Sequence, residues 1–284
     1  MTIYFIGCDI GGWHTTNGDA FAACRFSSGE FTLLDDECGS GNLYYPVDRQ
    51  GIFAKILNRA CAEKARIVIA IDAALAWPVE FVKLVRCAPL GGHLPTFTRS
   101  RAIDNPCLYR ETERFIRRNI RRDRDPFTAP GDKFGNNSSK AQSLVAWITG
   151  TLPEVYRPPF DPWDEDRAKN ARYSVIEVYP AASMESHLFQ NLEWPFSAQQ
   201  MRKIGDSDVA DAKLCAMTAV CYAATVKMDQ RLNSQLYPRI FVPPSDNTYD
   251  LNMVAQEGWI FAPEPDNQEQ SQHDRRSSGR QLSR

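Results

Sequence analysis

The sequence predicts an α/β fold: a mixed sheet flanked by helices and interrupted by a helical insertion. Three observations predict it. Ile67–Ile71 is apolar without alternation and ends at Asp72, as a strand buried on both faces in a parallel pair does. Near the N-terminus three apolar stretches follow one another, and after them helical and strand patterns alternate, the order of a meander that gives way to crossover units. The chain has 284 residues, 43% apolar and 24% charged, which is ordinary globular composition and enough for a sizeable core.

The elements follow in order. Ile3–Cys8 reads as a buried strand that meets Asp9, with Gly11 and Gly12 punctuating its exit. Asp19–Phe26 and Phe31–Leu34 are the next two strands, joined by a hairpin loop over Ser27–Glu30. Ile52, Phe53, Ile56, Leu57 and Ala60 recur at helical spacing, so about 50–64 is an amphipathic helix before the Ile67–Ile71 strand. The insertion, about 76–171, is less regular. It holds an Arg-rich helix over Leu108–Arg122, a polar loop over Gly131–Ser139, a helix over Ala141–Ile148 and a Pro- and Asp-rich surface loop over 153–166. Tyr173–Tyr179 is a strand stopped by Pro180, and Val209–Val226 is a long apolar helix with Asp206 or Ser207 as its N-cap. One domain is expected over 1–263, with 264–284 a disordered tail of Gln, Ser, Arg and Asp. This element order is the RNase H-like order, which the actin-like ATPases share.

A net charge of -2 excludes a globally basic nucleic-acid coat but not a local basic patch. None of the eight cysteines forms a C-x-x-C pair, which argues against a zinc ribbon or redox motif, and several lie in apolar runs as reduced core thiols do. Met1–Asp9 lacks a basic leader region, and no run approaches the roughly 18 apolar residues of a membrane helix. A reducing cytoplasm, with no membrane partner, is the expected setting.

The chemistry is expected from acids. Asp9 and Asp72 each end an apolar strand, where a carboxylate is costly unless it is paired, metal-bound or at a wet edge. If those strands lie side by side and parallel, both carboxylates emerge at the sheet edge where open α/β sheets bind ligands. Glu177 stands among apolar neighbours in Ser174–Tyr179, and Asp208 and Asp211 share one face of a first helical turn. Each has a plainer reading alone: a strand-end cap for Asp9 or Asp72, an Arg partner for Glu177, a helix-dipole acid for Asp208. Together they favour a metal site. Two unit charges about 4 Å apart repel by roughly 4 kcal/mol at an effective dielectric near 20, so a cluster holds protons or a divalent cation. Oxygen-only ligands select Mg²⁺ or Mn²⁺. The four histidines lack ligand spacing.

Several segments resemble one family. Ile71-Asp72-Ala73-Ala74-Leu75-Ala76-Trp77-Pro78 is similar to the I-D-x-P-L-x-x-P segment of the domain-of-unknown-function family 429, described as predicted nucleases of RNase H fold. Glu177-Val178-Tyr179-Pro180-Ala181 resembles its E-V-Y-P-A, Asp208-Val209-Ala210-Asp211-Ala212 its D-x-x-D-A helix start, and Glu257-Gly258-Trp259-Ile260 with Pro263 its closing E-G-W-I-x-x-P. The D-x-x-D-A arrangement also occurs in RuvC-type Holliday-junction resolvases. Ala74 departs from the family's proline, which changes the turn after Asp72 but not the carboxylate. The resemblance implies a nuclease in which Asp9, Asp72 and Asp211 are core metal ligands, with Asp208 and Glu177 as further ligands or supporting acids.

Arg110, Arg114, Arg117, Arg118 and Arg121 fall along one helical stripe that would track a nucleic-acid backbone, or would be a solvated face with pairs such as Glu113 to Arg117. Gly131–Ser139 lacks phosphate-loop spacing, and Trp259 and Tyr179 read as core aromatics before base-stacking ones. The expected function is Mg²⁺- or Mn²⁺-dependent hydrolysis of DNA or RNA phosphodiesters, with Asp9, Asp72, Glu177 and Asp211 catalytic. Two alternatives stay open. One is an actin-like-fold ATPase or sugar kinase, from Asp9-Ile10-Gly11-Gly12, although Trp13 stands where that phosphate loop has threonine. The other is a non-catalytic nucleic-acid-binding protein.

Overall fold

The first apolar run forms β1 (Thr2–Asp9), and the rest of the sheet is built outward from it. In the computed structural model the described residues are 1–13, 18–34, 38–41, 51–87, 102–120, 125–158, 160–186, 189, 207–232, 236–244 and 249–265, as backbone alone at 87, 132–134 and 207. On one side β1 pairs antiparallel with β2 (Asp19–Ser27), which pairs antiparallel with β3 (Glu30–Leu33) and, at its start, with β4 (Gly39–Gly41). The β2–β3 turn is two residues, Ser28 and Gly29, both with positive φ (57° and 95°), as a primed hairpin turn requires. On its other side β1 runs parallel to β5 (Arg66–Asp72), and β5 runs parallel to β7 (Tyr173–Val178). Two short strands, β6 (Val155–Tyr156) and β8 (Ile260–Phe261), share the outer edge of β7, both parallel to it. The result is one mixed sheet of eight strands, in the order β3-β2-β1-β5-β7-β6 with β4 and β8 beside that path.

Helices cover both faces. Phe53, Ile56, Leu57 and Ala60 of α1 (Ile52–Ala62) and Ala141, Leu144 and Ile148 of α4 (Asp132–Thr151) bury one face, against Tyr4, Ile6, Ile67, Ile69 and Val175. Between them in the chain lie α2 (Val79–Cys87), a single 3₁₀ turn over Ala102–Asp104 and α3 (Glu111–Asn119). The opposite face, carrying Ile3, Phe5, Val68, Ala70 and Ile176, is buried by α7 (Ser207–Thr225), after α5 (Glu165–Asn170) and α6 (Pro180–Ser183). Phe115 of α3 and Val254 of α8 (Leu251–Glu257) pack on that side too. Alternation along each strand divides these faces, so the face a side chain joins is fixed by its register.

α7 lies in close contact with β1. A Cβ added at Gly7 would lie 1.8 Å from the Ala212 carbonyl oxygen and 2.5 Å from the Ala216 nitrogen. Helix backbone therefore rests on strand backbone, and only glycine permits it.

Two expectations need correction. Gly131–Ser139 is not a loop: α4 begins at Asp132 and runs through Asn136, Asn137, Ser138 and Ser139. These are weak helix formers, and tertiary bonds from Asn136, Ser139 and Lys140 to the β1–β2 connection override propensity. The insertion is not purely helical, because β6 joins the sheet. The short helix α8 follows an Asp250 N-cap whose carboxylate accepts from the Asn252 and Met253 amides. Of the expected tail, 266–284 lies outside the described residues. Among the described residues no helix is long and apolar enough to cross a membrane, and Cys8, Cys24, Cys38, Cys61, Cys107, Cys215 and Cys221 are free thiols.

Candidate active site

The carboxylates of Asp9 and Asp72 come to one edge of the sheet. β1 and β5 are parallel, and Asp9 and Asp72 are partners in their register. Both extend the alternation of Phe5 and Gly7, and of Val68 and Ala70, so both sit on the α7 face. The Gly7 contact brings the first turn of α7 over the same strand ends, and with it Asp208 and Asp211.

The electrostatics record the convergence. Burial, and then the charges of Asp9, Asp211 and Glu177, push the Asp72 carboxyl well above its ordinary range. Burial and Asp208 raise Asp211. One turn further along α7, the Cys215 thiol is pushed well up by burial and then by the charges of Asp72, Asp9, Cys8 and Asp211. Like charges near one another and out of water disfavour their own ionised forms.

The donor chemistry suits a hard divalent cation, since it is carboxylate oxygen throughout. Among the described residues, however, no three His, Cys, Asp or Glu side chains are gathered into a metal-holding group. Mg²⁺ keeps several waters and takes one or two carboxylates plus substrate phosphate.

The edge opens into a cleft. Asp9 and Asp72 share its lining with Thr128, Asn137, Ser138 and Tyr179 among others. The same cleft is lined by a buried ionic network of Arg110, Glu113 and Glu177. Arg110, 1% exposed, donates to both oxygens of Glu177 (2.9 and 2.5 Å), to Glu113 Oε1 from Nε (2.7 Å) and Nη2 (2.5 Å), and to the Glu257 carbonyl (2.8 Å). Burial alone would lower the Arg110 guanidinium; the charges of Glu113 and Glu177 overcome it and hold the group above its ordinary value. Glu177 also accepts from the Leu75 amide, 2.9 Å away, three residues past Asp72. Glu257 accepts from the Val79 and Glu111 amides, satisfying first-turn donors of α2 and α3.

This network bears on two expectations. Glu177 lines the same cleft as Asp9 and Asp72, with its carboxylate engaged by Arg110, the plainer reading for it. Its register partner in β5 is Ile71 rather than Asp72, and that one-residue offset turns it to the α4 face, where Arg110 takes both its oxygens. The arginine stripe does not face solvent as a unit. Arg110 and Arg114 are buried, Arg114 pairing with Glu111 and donating to the Tyr109 carbonyl. Arg117 pairs with Asp125 at 2.7 Å, Arg118 is exposed, and Arg121 lies outside the described residues. The apolar face of α3, with Phe115 and Ile116, turns the first arginines inward along with it.

A second buried pair holds the segment after β1. Lys140 Nζ lies 2.9 and 2.7 Å from the oxygens of Asp19, both side chains almost fully buried. Asp19 also accepts from the Gly11 amide (3.0 Å), and Asn136 accepts from the Trp13 amide (3.1 Å). The indole nitrogen of Trp13 bonds Ser139 Oγ (2.9 Å), and a Cβ at Gly12 would lie 2.5 Å from Asn136 Nδ2. A phosphate loop offers its amides to a ligand; here those of Gly11 and Trp13 are committed to Asp19 and Asn136. The kinase-like segment thus functions as an anchored turn.

Sequence reasoning missed Asp19, Lys140, Glu113 and the part played by Glu257. A lysine four and eight residues before Leu144 and Ile148, on one helical face with them, was a usable signal, because such a lysine is buried only if it is paired. Trp259 is a core residue, fully buried with its indole bonded to the Phe241 carbonyl, and Tyr179 is half-buried. Comparison with family models, with curated proteins and with solved structures finds no match to this chain.

Proposed function

We propose that the chain is a divalent-metal-dependent nuclease of RNase H-like fold that hydrolyses phosphodiester bonds of DNA or RNA. The observation that carries this reading is the in-register pair Asp9 and Asp72, joined from α7 by Asp211, with the charge of each neighbour raising the Asp72 pKa. The sheet order β3-β2-β1-β5-β7, three antiparallel strands followed by two parallel ones, supports the fold assignment. The free thiols suit the reducing cytoplasm expected from the sequence.

In this reading Asp9 and Asp72 hold Mg²⁺ or Mn²⁺, with Asp211 and Asp208 completing the charge. Lewis-acid charge at the scissile phosphate is what the ion supplies when bound. Burial and its neighbours favour the protonated form of Asp72, and only the carboxylate would hold the ion, so activity falls at acid pH. Thr128 and Asn137 offer hydroxyl and amide donors to the phosphate from the cleft wall. The Glu177 bond to the Leu75 amide fixes the turn that follows Asp72 and so orients that carboxylate.

The test is cleavage of labelled DNA and RNA with Mg²⁺ or Mn²⁺. Asp72→Asn and Asp9→Asn are each expected to lose on the order of 10³-fold in rate. Undiminished cleavage by both removes the assignment. A second reading, a non-catalytic nucleic-acid-binding protein, is favoured by the absence of a three-ligand group among the described residues. Calorimetry separates the two, because only the nuclease takes up Mg²⁺ or Mn²⁺ through Asp9 and Asp72.

A further inference from the structure

We propose that Phe127 forms a base-stacking subsite beside the carboxylates, so that the substrate is an unpaired nucleotide of a nucleic-acid strand. This rests on the nuclease reading and names its substrate more narrowly. Phe127 lines the same cleft as Asp9 and Asp72, and the residue is 59% exposed. It is the only exposed aromatic residue among the described residues.

The segment that carries it is tied down on both sides. Pro126 and Ala129 are buried, and Asp125 pairs with Arg117 at 2.7 Å. Ser138 Oγ donates to the Ala129 carbonyl at 3.4 Å and the Gly131 amide to the Thr128 carbonyl at 3.1 Å. A Cβ at Gly131 would lie 2.5 Å from Thr128 Oγ1, so the chain closes tightly behind the ring. An apolar ring held by fixed backbone at a cleft mouth is preorganised for a flat partner, and stacking onto it loses little entropy.

Charge in the cleft points the same way. Its buried cation, Arg110, is already engaged by Glu113 and Glu177, and Asp9 and Asp72 add negative charge. A phosphodiester therefore gains little attraction here before a divalent ion binds. Affinity in the absence of that ion has to come from the uncharged part of a nucleotide, which is the base. A base within a duplex has its faces covered by neighbours, so the stack requires an unpaired one.

The experiment is fluorescence anisotropy in EDTA with a labelled oligo-dT, an oligo-rU, a duplex and an abasic strand of equal charge. Wild type is expected to bind the single strands more tightly than the duplex. Phe127→Ala weakens single-strand binding by about 5- to 100-fold, Phe127→Trp restores it, and the abasic strand binds wild type and Phe127→Ala alike. The dT-to-rU ratio assigns the sugar. Equal binding by wild type and Phe127→Ala, the same loss on the abasic strand, or no binding of any strand overturns the subsite. Parallel cleavage assays keep the two readings apart. Phe127-dependent binding without metal-dependent cleavage removes the nuclease and leaves the subsite. Metal-dependent cleavage with Phe127-independent binding does the reverse.

Discussion

On the sheet face covered by α1 and α4, the buried carboxylates of Asp19 and Glu177 each meet a cation; on the face covered by α7, Asp72 meets other carboxylates. Asp19 has Lys140 and Glu177 has Arg110, both at hydrogen-bonding distance. Burial, and then the charges of Asp9, Asp211 and Glu177, raise the Asp72 pKa. Asp19 and Glu177 are almost fully buried and Asp72 is partly so, and what separates the two sides is compensation. A buried pair holds elements in place, whereas a cluster of one sign raises the free energy of the folded protein unless a proton or a cation joins it. The α4 face thus serves architecture, and the α7 face is where binding a positive ion would stabilise the fold.

The sharpest way to break this comparison is to remove a compensating cation. Arg110→Met leaves Glu113 and Glu177 buried without their partner and is expected to cost about 3–5 kcal/mol, read from urea unfolding. Lys140→Met strands Asp19 in the same way, with a similar cost, and loosens the Gly11–Trp13 turn. Adding Glu177→Gln to Arg110→Met should recover part of the loss, because the double variant no longer buries that charge. If the single variants unfold no more easily than wild type, these pairs are not what holds the α4 face.

A smaller effect is expected at the junction of the two faces. Gly7→Ala pushes a methyl group into the Ala212 carbonyl and is expected to cost about 1–3 kcal/mol, the range of an overpacked core. The same displacement moves Asp211 away from Asp9 and Asp72. Cleavage should therefore fall further than stability alone explains, and comparing rate with unfolded fraction at one temperature checks it.

How far the sequence could show this is clear from particular residues. Asp9 and Asp72 were legible because each closes an unbroken apolar run, and parallel pairing then brings both to one edge. Asp211 was legible from its place in the first turn of an apolar helix. The face that Glu177 joins was not legible, because it depends on a one-residue register difference between β5 and β7, and no local pattern encodes register. The arginine stripe failed for a related reason: helical spacing identifies a face but not whether it turns inward, and acids distant in sequence recruited Arg110. The start of α4 was read as a loop because its residues favour one locally; its helix depends on bonds to Trp13 and Asp19, more than a hundred positions away.

The smallest predicted change has the opposite sign from the others. Folded Asp72 keeps its proton to higher pH than an unfolded aspartate does, so its contribution to stability is full below the unfolded value and is lost as pH rises through the folded one. With EDTA present, wild type should melt at lower temperature as pH climbs from the ordinary aspartate range toward neutrality. Asp72→Asn lacks that component and should melt higher than wild type at neutral pH. Mg²⁺ or Mn²⁺ should then raise the wild-type Tm and move the variant far less, since ligand stabilisation follows affinity for the folded state. A variant that is less stable than wild type in EDTA would show that Asp72 is held by a partner and belongs with the compensated carboxylates. A site that gains stability when its carboxylate is neutralised, and loses cleavage by the same change, is one the fold keeps for chemistry at its own expense.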